Sequence, residues 1–171
     1  MKKPLLFLVA LLFVSALAFM SVEIYSKSKQ NEENKLTRQT LPTLQFYTLD
    51  SLAVSNSIVE VGSSTCIVYF DPDCSHCESE TKEITSNIER FGHSQIFMIS
   101  ANTPKKIADF TKQFHLGSYP TIQVLWDKEH LFYKLFGNAT VPSVYIYDRQ
   151  QQLVKEYFGE VKAEAIIKHL H

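Results

Sequence analysis

The chain has 171 residues, of which 45% are hydrophobic and 20% are charged, and its formal net charge is −1. This is the composition of a globular protein with room for one domain, and it lacks the basic stripe expected of a nucleic-acid-binding surface. Twelve Phe and eight Tyr against five Gly indicate an aromatic-rich core and exclude a repetitive or disordered chain.

Residues 1–25 are predicted to be a membrane-targeting segment, either a signal anchor or a signal peptide. Lys2 and Lys3 precede an uncharged run, and basic residues in this position stay on the cytoplasmic side of the membrane. The small residues of Ala16-Leu17-Ala18 offer a cleavage site. The apolar character nevertheless continues to Ile24, a length that crosses most of a bilayer at about 1.5 Å per residue.

We therefore expect residues 4–24 to anchor the protein in the cytoplasmic membrane. The rest of the chain then lies on the extracytoplasmic, periplasmic side, where disulfides persist. Residues 26–40 are polar and have no apolar periodicity, which predicts a solvated linker. Residues 41–171 are long enough to form one domain with its own core.

Hydrophobic periodicity predicts that strands and helices alternate along this domain. The strands are expected over 44–50 (a half-buried edge strand), 66–70, 96–99, 121–125, 143–147 and 153–158, and the helices over 77–91, 104–114, 127–136 and 161–170. The last two strands are joined by a short polar turn, so they must be antiparallel. This order predicts an α/β fold with a mixed sheet and helices on both faces.

A Cys-x-x-Cys pair, Cys74 and Cys77, lies between the second strand and the first helix. Unpaired N–H groups at a helix start favour a thiolate, so Cys74 is expected to be the exposed nucleophile. Cys77 lies one turn further on, near enough to close a disulfide. The carboxylates of Asp71 and Asp73 oppose the thiolate, but we expect them to be solvated and therefore screened.

Three chemical roles fit such a pair. A structural disulfide is disfavoured because a bridge across so short a loop constrains the unfolded chain least. A zinc site needs about four ligands, usually as two pairs, and the chain offers only Cys74, Cys77 and His76 in sequence proximity. Redox chemistry therefore fits best, and a copper- or zinc-handling binding module remains the alternative.

Two further residues stand out in the buried pattern. Glu80 falls on the apolar stripe of the first helix, one turn after Cys77, although an exposed glutamate paired with a lysine would also fit its position. Cys66 lies within an apolar strand. It is interpreted as a small buried hydrophobe rather than as a third reactive thiol.

The strand, the Cys-x-x-Cys at a helix start, and Val141-Pro142 before a hairpin and final helix resemble the thioredoxin fold. The closer resemblance, over about residues 41–170, is to membrane-associated extracytoplasmic thiol–disulfide oxidoreductases of the TlpA/ResA type. An additional βα unit over 96–116 resembles the insertion of that group. Glu80 stands where the group has an acid that tunes the cysteines, and Val68 replaces the buried Asp of plain thioredoxin.

The resemblance implies a thioredoxin-like fold with this insertion before a cis-proline at Pro142. It implies that Cys74 attacks a substrate disulfide, that Cys77 resolves the mixed disulfide, and that Glu80 accepts a proton or tunes Cys77. Val141 and Pro142 would shape the substrate groove. No dissociable cofactor is expected. The implied partners are protein thiols or disulfides and a membrane redox protein.

The chain also departs from the family pattern around the cysteines. Asp73 replaces the usual aromatic residue, and Ser75-His76 replaces Gly-Pro between the cysteines. A histidine there resembles the more oxidising members, so Ser75 and His76 are expected to modulate the potential, and the direction of electron flow stays open. We expect a reductant, with a redox-idle binding domain as a further alternative.

Overall fold

The computed structural model describes residues 15, 17, 19–23, 25, 26 and 38–170. The described residues before 27 are helical and exposed. Within the described ranges, no helix combines the length and apolar character needed to cross a membrane. The remainder of the predicted 4–24 anchor, and residues 27–37 of the predicted linker, lie outside the described residues.

The centre of the domain is a mixed sheet. In the described part of the chain it has seven strands: β1 (Phe46–Tyr47), β2 (Ala53–Val54), β3 (Thr65–Tyr69), β4 (Gln95–Ser100), β5 (Ile122–Trp126), β6 (Ser143–Tyr147) and β7 (Leu153–Phe158). Their order is β2-β1-β5-β4-β3-β6-β7. Strands β3, β4 and β5 are parallel, whereas β6 is antiparallel to both β3 and β7.

Four α-helices accompany this sheet in the described residues. They are α1 (Ser75–Ser86), α2 (Pro104–Gln113), α3 (Phe132–Phe136) and α4 (Ala163–Ile167), and short 3₁₀ turns cover 56–58, 88–91 and 116–118. The Thr103 side chain accepts a hydrogen bond from Lys106 N at the start of α2, and Pro104 fills its first turn.

The strands alternate between two separate cores. Cys66 and Val68 of β3 pack with α1, α2 and α4 on one face of the sheet. Ile67 and Tyr69 face the opposite side, where aromatic residues of α3 and β6 complete a second core. The predicted mixed sheet with helices on both faces, and the extra βα unit, are thereby confirmed.

Two local predictions need correction. Of the strand predicted over 44–50 only Phe46–Tyr47 is extended, and it pairs as a hairpin with β2 because the chain reverses at Ser51, whose φ is 64°. Strand β1 lies between β2 and β5, so it is not an edge strand. The helix predicted from Asp127 starts only at Phe132, because the Asp127 carboxylate first binds a turn, accepting hydrogen bonds from Leu131 N and Phe132 N.

The chain before β1 is attached to the beginning of β7. Leu153 N donates to Gln39 O at 2.7 Å, and Leu41 N donates to Gln151 O at 2.9 Å. Arg38 forms an ion pair with Glu156, with Nε 2.8 Å from Oε2. Residues 38–40, which belong to the predicted 26–40 linker, therefore contact the domain.

Candidate active site

The two cysteines lie where β3 ends and α1 begins. Cys74 is the N-cap residue of α1 and is half-buried, whereas Cys77 in the first turn is only 1% exposed. The sequence pattern predicts this arrangement, because an apolar strand broken by Asp71-Pro72 must end before the helix begins. One thiol is open to a substrate and the other is covered by protein.

Both cysteines are free thiols in this structure. The sulfur of Cys77 accepts a hydrogen bond from Asp71 N at 3.4 Å. Burial raises the pKa of the Cys77 thiol well above its usual value, and the neighbouring Cys74 and Glu80 raise it further, against the opposing effect of the Asp71 N–H. Cys77 therefore holds its proton until a nearby base removes it.

Glu80 is a buried carboxylate with a solvent exposure of 1%. Its Oε1 accepts a hydrogen bond from Val161 N at 3.1 Å, and its Oε2 has no hydrogen-bond partner among the described residues. Burial raises the pKa of Glu80 to about 8, while the Val161 N–H partly offsets this effect. The predicted position on the buried stripe is confirmed, and the reading as an exposed glutamate is wrong.

Pro142 lies near the start of α1 because β3 and β6 are antiparallel neighbours. Tyr69, the last residue of β3, pairs with Ser143, the first residue of β6. The Val141–Pro142 peptide bond is cis, as the resemblance implies. Pro142 O accepts a hydrogen bond from Gly159 N at 2.8 Å.

A groove of about 370 Å³ opens beside this proline. It is lined by His76, Val141, Pro142 and residues 159–162. The structure thus brings the two residues predicted to bind substrate into one surface with the histidine of the Cys-x-x-Cys. Ser75, the other residue between the cysteines, is exposed at the start of α1.

His76 contacts a residue that sequence reasoning missed. Its Nδ1 lies 2.8 Å from Oε2 of Glu160, in the loop between β7 and α4, and Ser79 Oγ donates to the other Glu160 oxygen at 2.6 Å. These two hydrogen bonds hold the pKa of Glu160 below its usual value. No pattern along the chain could have indicated this contact, because the loop and the helix are far apart in sequence and meet only in the folded protein.

The acidic residues before Cys74 are paired rather than simply solvated. Asp73 forms a hydrogen-bonded ion pair with Lys106 of α2, which lowers the pKa of Asp73. Asp71 Oδ1 accepts from Asp73 N at 2.8 Å and from Asn102 Nδ2 at 3.2 Å. Sequence reasoning missed Lys106 and Asn102. Both follow β4, and the parallel pairing of β3 and β4 places the segments after these two strands at the same edge of the sheet.

Cys66 is fully buried, and burial raises the pKa of its thiol. This agrees with its interpretation as a small hydrophobe. Across the described residues, no group of three or more His, Cys, Asp or Glu side chains is arranged to hold a metal ion. The set Cys74, Cys77 and His76 therefore does not form a preorganised metal site here.

Solved structures share this fold at low sequence identity. DsbF of MTB, determined in mixed oxidised and reduced forms, has a TM-score of 0.64 at 14% identity, covering 78% of this chain and 94% of its own. The exposed lipoprotein thioredoxin Etrx1 of Streptococcus pneumoniae has 0.57 at 19%, covering 75% and 97%. Copper-bound ScoI of Arabidopsis thaliana has 0.57 at 13%, covering 74% and 92%.

These structures include redox proteins and a copper-bound protein, so at such identities the likeness establishes the fold alone. No curated protein sequence gives a significant match. The AhpC/TSA family model, in contrast, matches residues 37–156, well over half of the chain. The chain therefore belongs to the AhpC/TSA family and has the fold of the thioredoxin-like thiol–disulfide oxidoreductases.

Proposed function

We propose that the protein is an extracytoplasmic thiol–disulfide oxidoreductase that reduces disulfides in protein substrates. The observation that carries this proposal is the graded burial of the pair: Cys74 is partly exposed at a helix start, and Cys77 lies buried beneath it near an unpaired carboxylate oxygen. Such a site separates the attacking thiol from the resolving thiol.

In the proposed cycle the Cys74 thiolate attacks one sulfur of a substrate disulfide, and the other substrate sulfur leaves as a thiolate. Cys77 then loses its proton and attacks Cys74, which releases the second substrate thiolate. Two electrons pass to the substrate, and its two thiolates take up two protons from solvent, which balance the protons that Cys74 and Cys77 release on ionisation. The protein is left with a Cys74–Cys77 disulfide.

Glu80 is the proposed proton acceptor for the second step. It shares the buried face of α1 with Cys77, and its Oε2 has no partner in the described structure. With a pKa of about 8, Glu80 acts as this base only in its ionised form, a minority at pH 7 that grows as the pH approaches 8, and that form is a stronger base than a solvated glutamate. Removal of the proton from Cys77 is the step that needs such a base, because burial holds that thiol protonated.

The groove lined by Pro142 supports a second part of the proposal. Val141 and Pro142 line a groove together with His76 of the Cys-x-x-Cys, and we assign to them the binding of the substrate backbone during exchange. The groove is open rather than enclosed by apolar walls, which suits an extended polypeptide better than a small apolar ligand.

The location and direction rest on the sequence. The basic and apolar N-terminal pattern supports an extracytoplasmic domain tethered by residues 4–24. A membrane redox partner would return the disulfide to the dithiol after each turnover. The TlpA/ResA resemblance supports the reducing direction.

The reduction potential of Cys74–Cys77 tests this proposal. We would equilibrate the full-length protein, in detergent, with thiol–disulfide buffers, using Cys66→Ser as the matched control. A potential near or below about −250 mV supports a reductant, whereas about −120 to −180 mV would indicate a donor of disulfides. Failure to form a reversible disulfide would overturn the redox function.

A metal-handling module using Cys74, Cys77 and His76 is the second candidate, and its support is the shared fold of copper-bound ScoI. Its distinguishing property is stoichiometric copper or zinc that stays bound through purification and is lost in both Cys74→Ser and Cys77→Ser.

A further inference from the structure

The loop over residues 159–162, between β7 and α4, is attached to one face of α1. Glu160 binds His76 and Ser79, Val161 N donates to Glu80, and Lys162 forms an ion pair with Glu83 at 3.0 Å. The four helix residues recur at helical spacing, so they form a single stripe. The loop also reaches Pro142 through Gly159 N.

Glu160 differs from the other residues of this loop in the groups that its side chain contacts. Val161 donates its backbone N–H to Glu80 and packs its side chain against the core, and the Lys162–Glu83 pair is an exposed ion pair. The two oxygens of Glu160 instead bind the histidine of the Cys-x-x-Cys and the serine one turn later. The exchange cycle described above gives this carboxylate no role.

The contact constrains what His76 can do. An imidazolium near an attacking thiolate stabilises it, and this favours the dithiol over the disulfide. The Nδ1 atom that faces Glu160 is engaged at 2.8 Å, so it is not available to the sulfur of Cys74. The carboxylate also neutralises the charge of a protonated His76 before that charge can act on the helix start.

We propose that Glu160 is a positioning residue that holds His76 across the substrate groove and thereby makes Cys74–Cys77 more reducing. This inference rests on the proposed redox function and deepens it. A histidine at this position resembles the more oxidising family members. The contact of His76 with Glu160, in a loop far along the chain, opposes that oxidising effect. Ser79 supports the arrangement by binding the second carboxylate oxygen.

The test is a double-mutant cycle on the equilibrium constant of the full-length protein with glutathione. E160A releases His76, and we expect the equilibrium to shift toward the dithiol by about two- to fivefold, the scale of an exposed charge interaction. E160Q retains a hydrogen-bond acceptor for Nδ1, so its shift should fall between those of wild type and E160A. In an H76A background, E160A should have little effect.

E83Q is the matched control, because it removes an ion pair to the same loop without touching His76. We expect it to leave the equilibrium constant unchanged. The inference is overturned if E160A has no effect, if its shift is equally large in the H76A background, or if E83Q reproduces it. If wild type forms no reversible disulfide, the proposed function itself fails, which is a different result from these three.

Discussion

Two carboxylates are buried among the described residues, one on each side of the sheet, and their surroundings differ. Asp127, which precedes α3, is 1% exposed, and its two oxygens accept hydrogen bonds from Leu131 N at 2.7 Å and Phe132 N at 3.1 Å. Glu80 is equally buried, but only one of its oxygens has a partner in the described residues. Both oxygens of Asp127 therefore have hydrogen-bond donors, whereas one oxygen of Glu80 has none among the described residues.

The hydrophobic cores around the two carboxylates also differ in composition. Near Asp127 the core is aromatic, with Phe132 stacked on Tyr69 at 3.8 Å and on Phe136 at 4.4 Å. The core around Glu80 is mainly aliphatic and contains Cys66 and Cys77. A buried polar atom without a partner costs free energy, so the unpaired oxygen of Glu80 lowers the stability of the fold rather than adding to it.

The largest expected effect concerns the nucleophile. Cys74→Ser should reduce turnover of a protein disulfide by more than about a thousandfold, because a serine hydroxyl is not ionised near neutral pH. Cys66→Ser should leave turnover nearly unchanged. An insulin-reduction assay measures both, and appreciable activity in Cys74→Ser would show that the Cys-x-x-Cys is not the redox centre.

Glu80→Gln should stabilise the protein in a pH-dependent way. With a pKa raised to about 8, folded Glu80 keeps a proton that the unfolded chain releases above about pH 4.5. Stability is therefore lost as the pH rises from about 4.5 to 8, and Gln avoids this loss. We expect a gain of about 3 kcal/mol at pH 7 and less than about 1 kcal/mol at pH 5.

Denaturant unfolding of both proteins at the two pH values measures this difference. In the same variant, resolution of the mixed disulfide should become slower, because Cys77 loses its base. An equal change in stability at pH 5 and pH 7 would indicate that Glu80 does not hold a proton in the folded state, and would remove the contrast with Asp127.

Asp127→Ala should have the opposite effect on stability and none on the chemistry. The substitution leaves two backbone N–H groups without acceptors, so we expect the free energy of unfolding to fall by about 2 kcal/mol. The reduction potential of Cys74–Cys77 should stay at the wild-type value. A shifted potential would mean that the two faces of the sheet are coupled.

The smallest effect is expected for Lys106→Ala. This change removes the ion-pair partner of Asp73 and leaves its negative charge near Cys74 uncompensated. Alkylation of Cys74 by iodoacetamide should slow by less than about threefold, because the pair is exposed and screened by salt. Raising the salt concentration should reduce the difference; a salt-independent effect would indicate a structural cause.

The sequence predicts those parts of this protein that depend on local periodicity. The element order and the burial of Cys77 and Glu80 follow from apolar spacing along single segments. The β1–β2 hairpin was missed because its alternating pattern is also that of one continuous strand. Tertiary contacts such as Glu160 with His76 and Lys106 with Asp73 join loops and helices far apart in the chain, and no local pattern encodes them.

The attachment of residues 38–41 to β7 has a consequence for handling the protein. Strand β7 is the last strand of the sheet, and its exposed side chains include Val154 and Phe158. Unpaired strand edges recruit further strands from other molecules. Because Arg38 to Leu41 cover the beginning of this edge, a shortened protein that starts at Leu41 would uncover it and self-associate more readily than one that starts before Arg38.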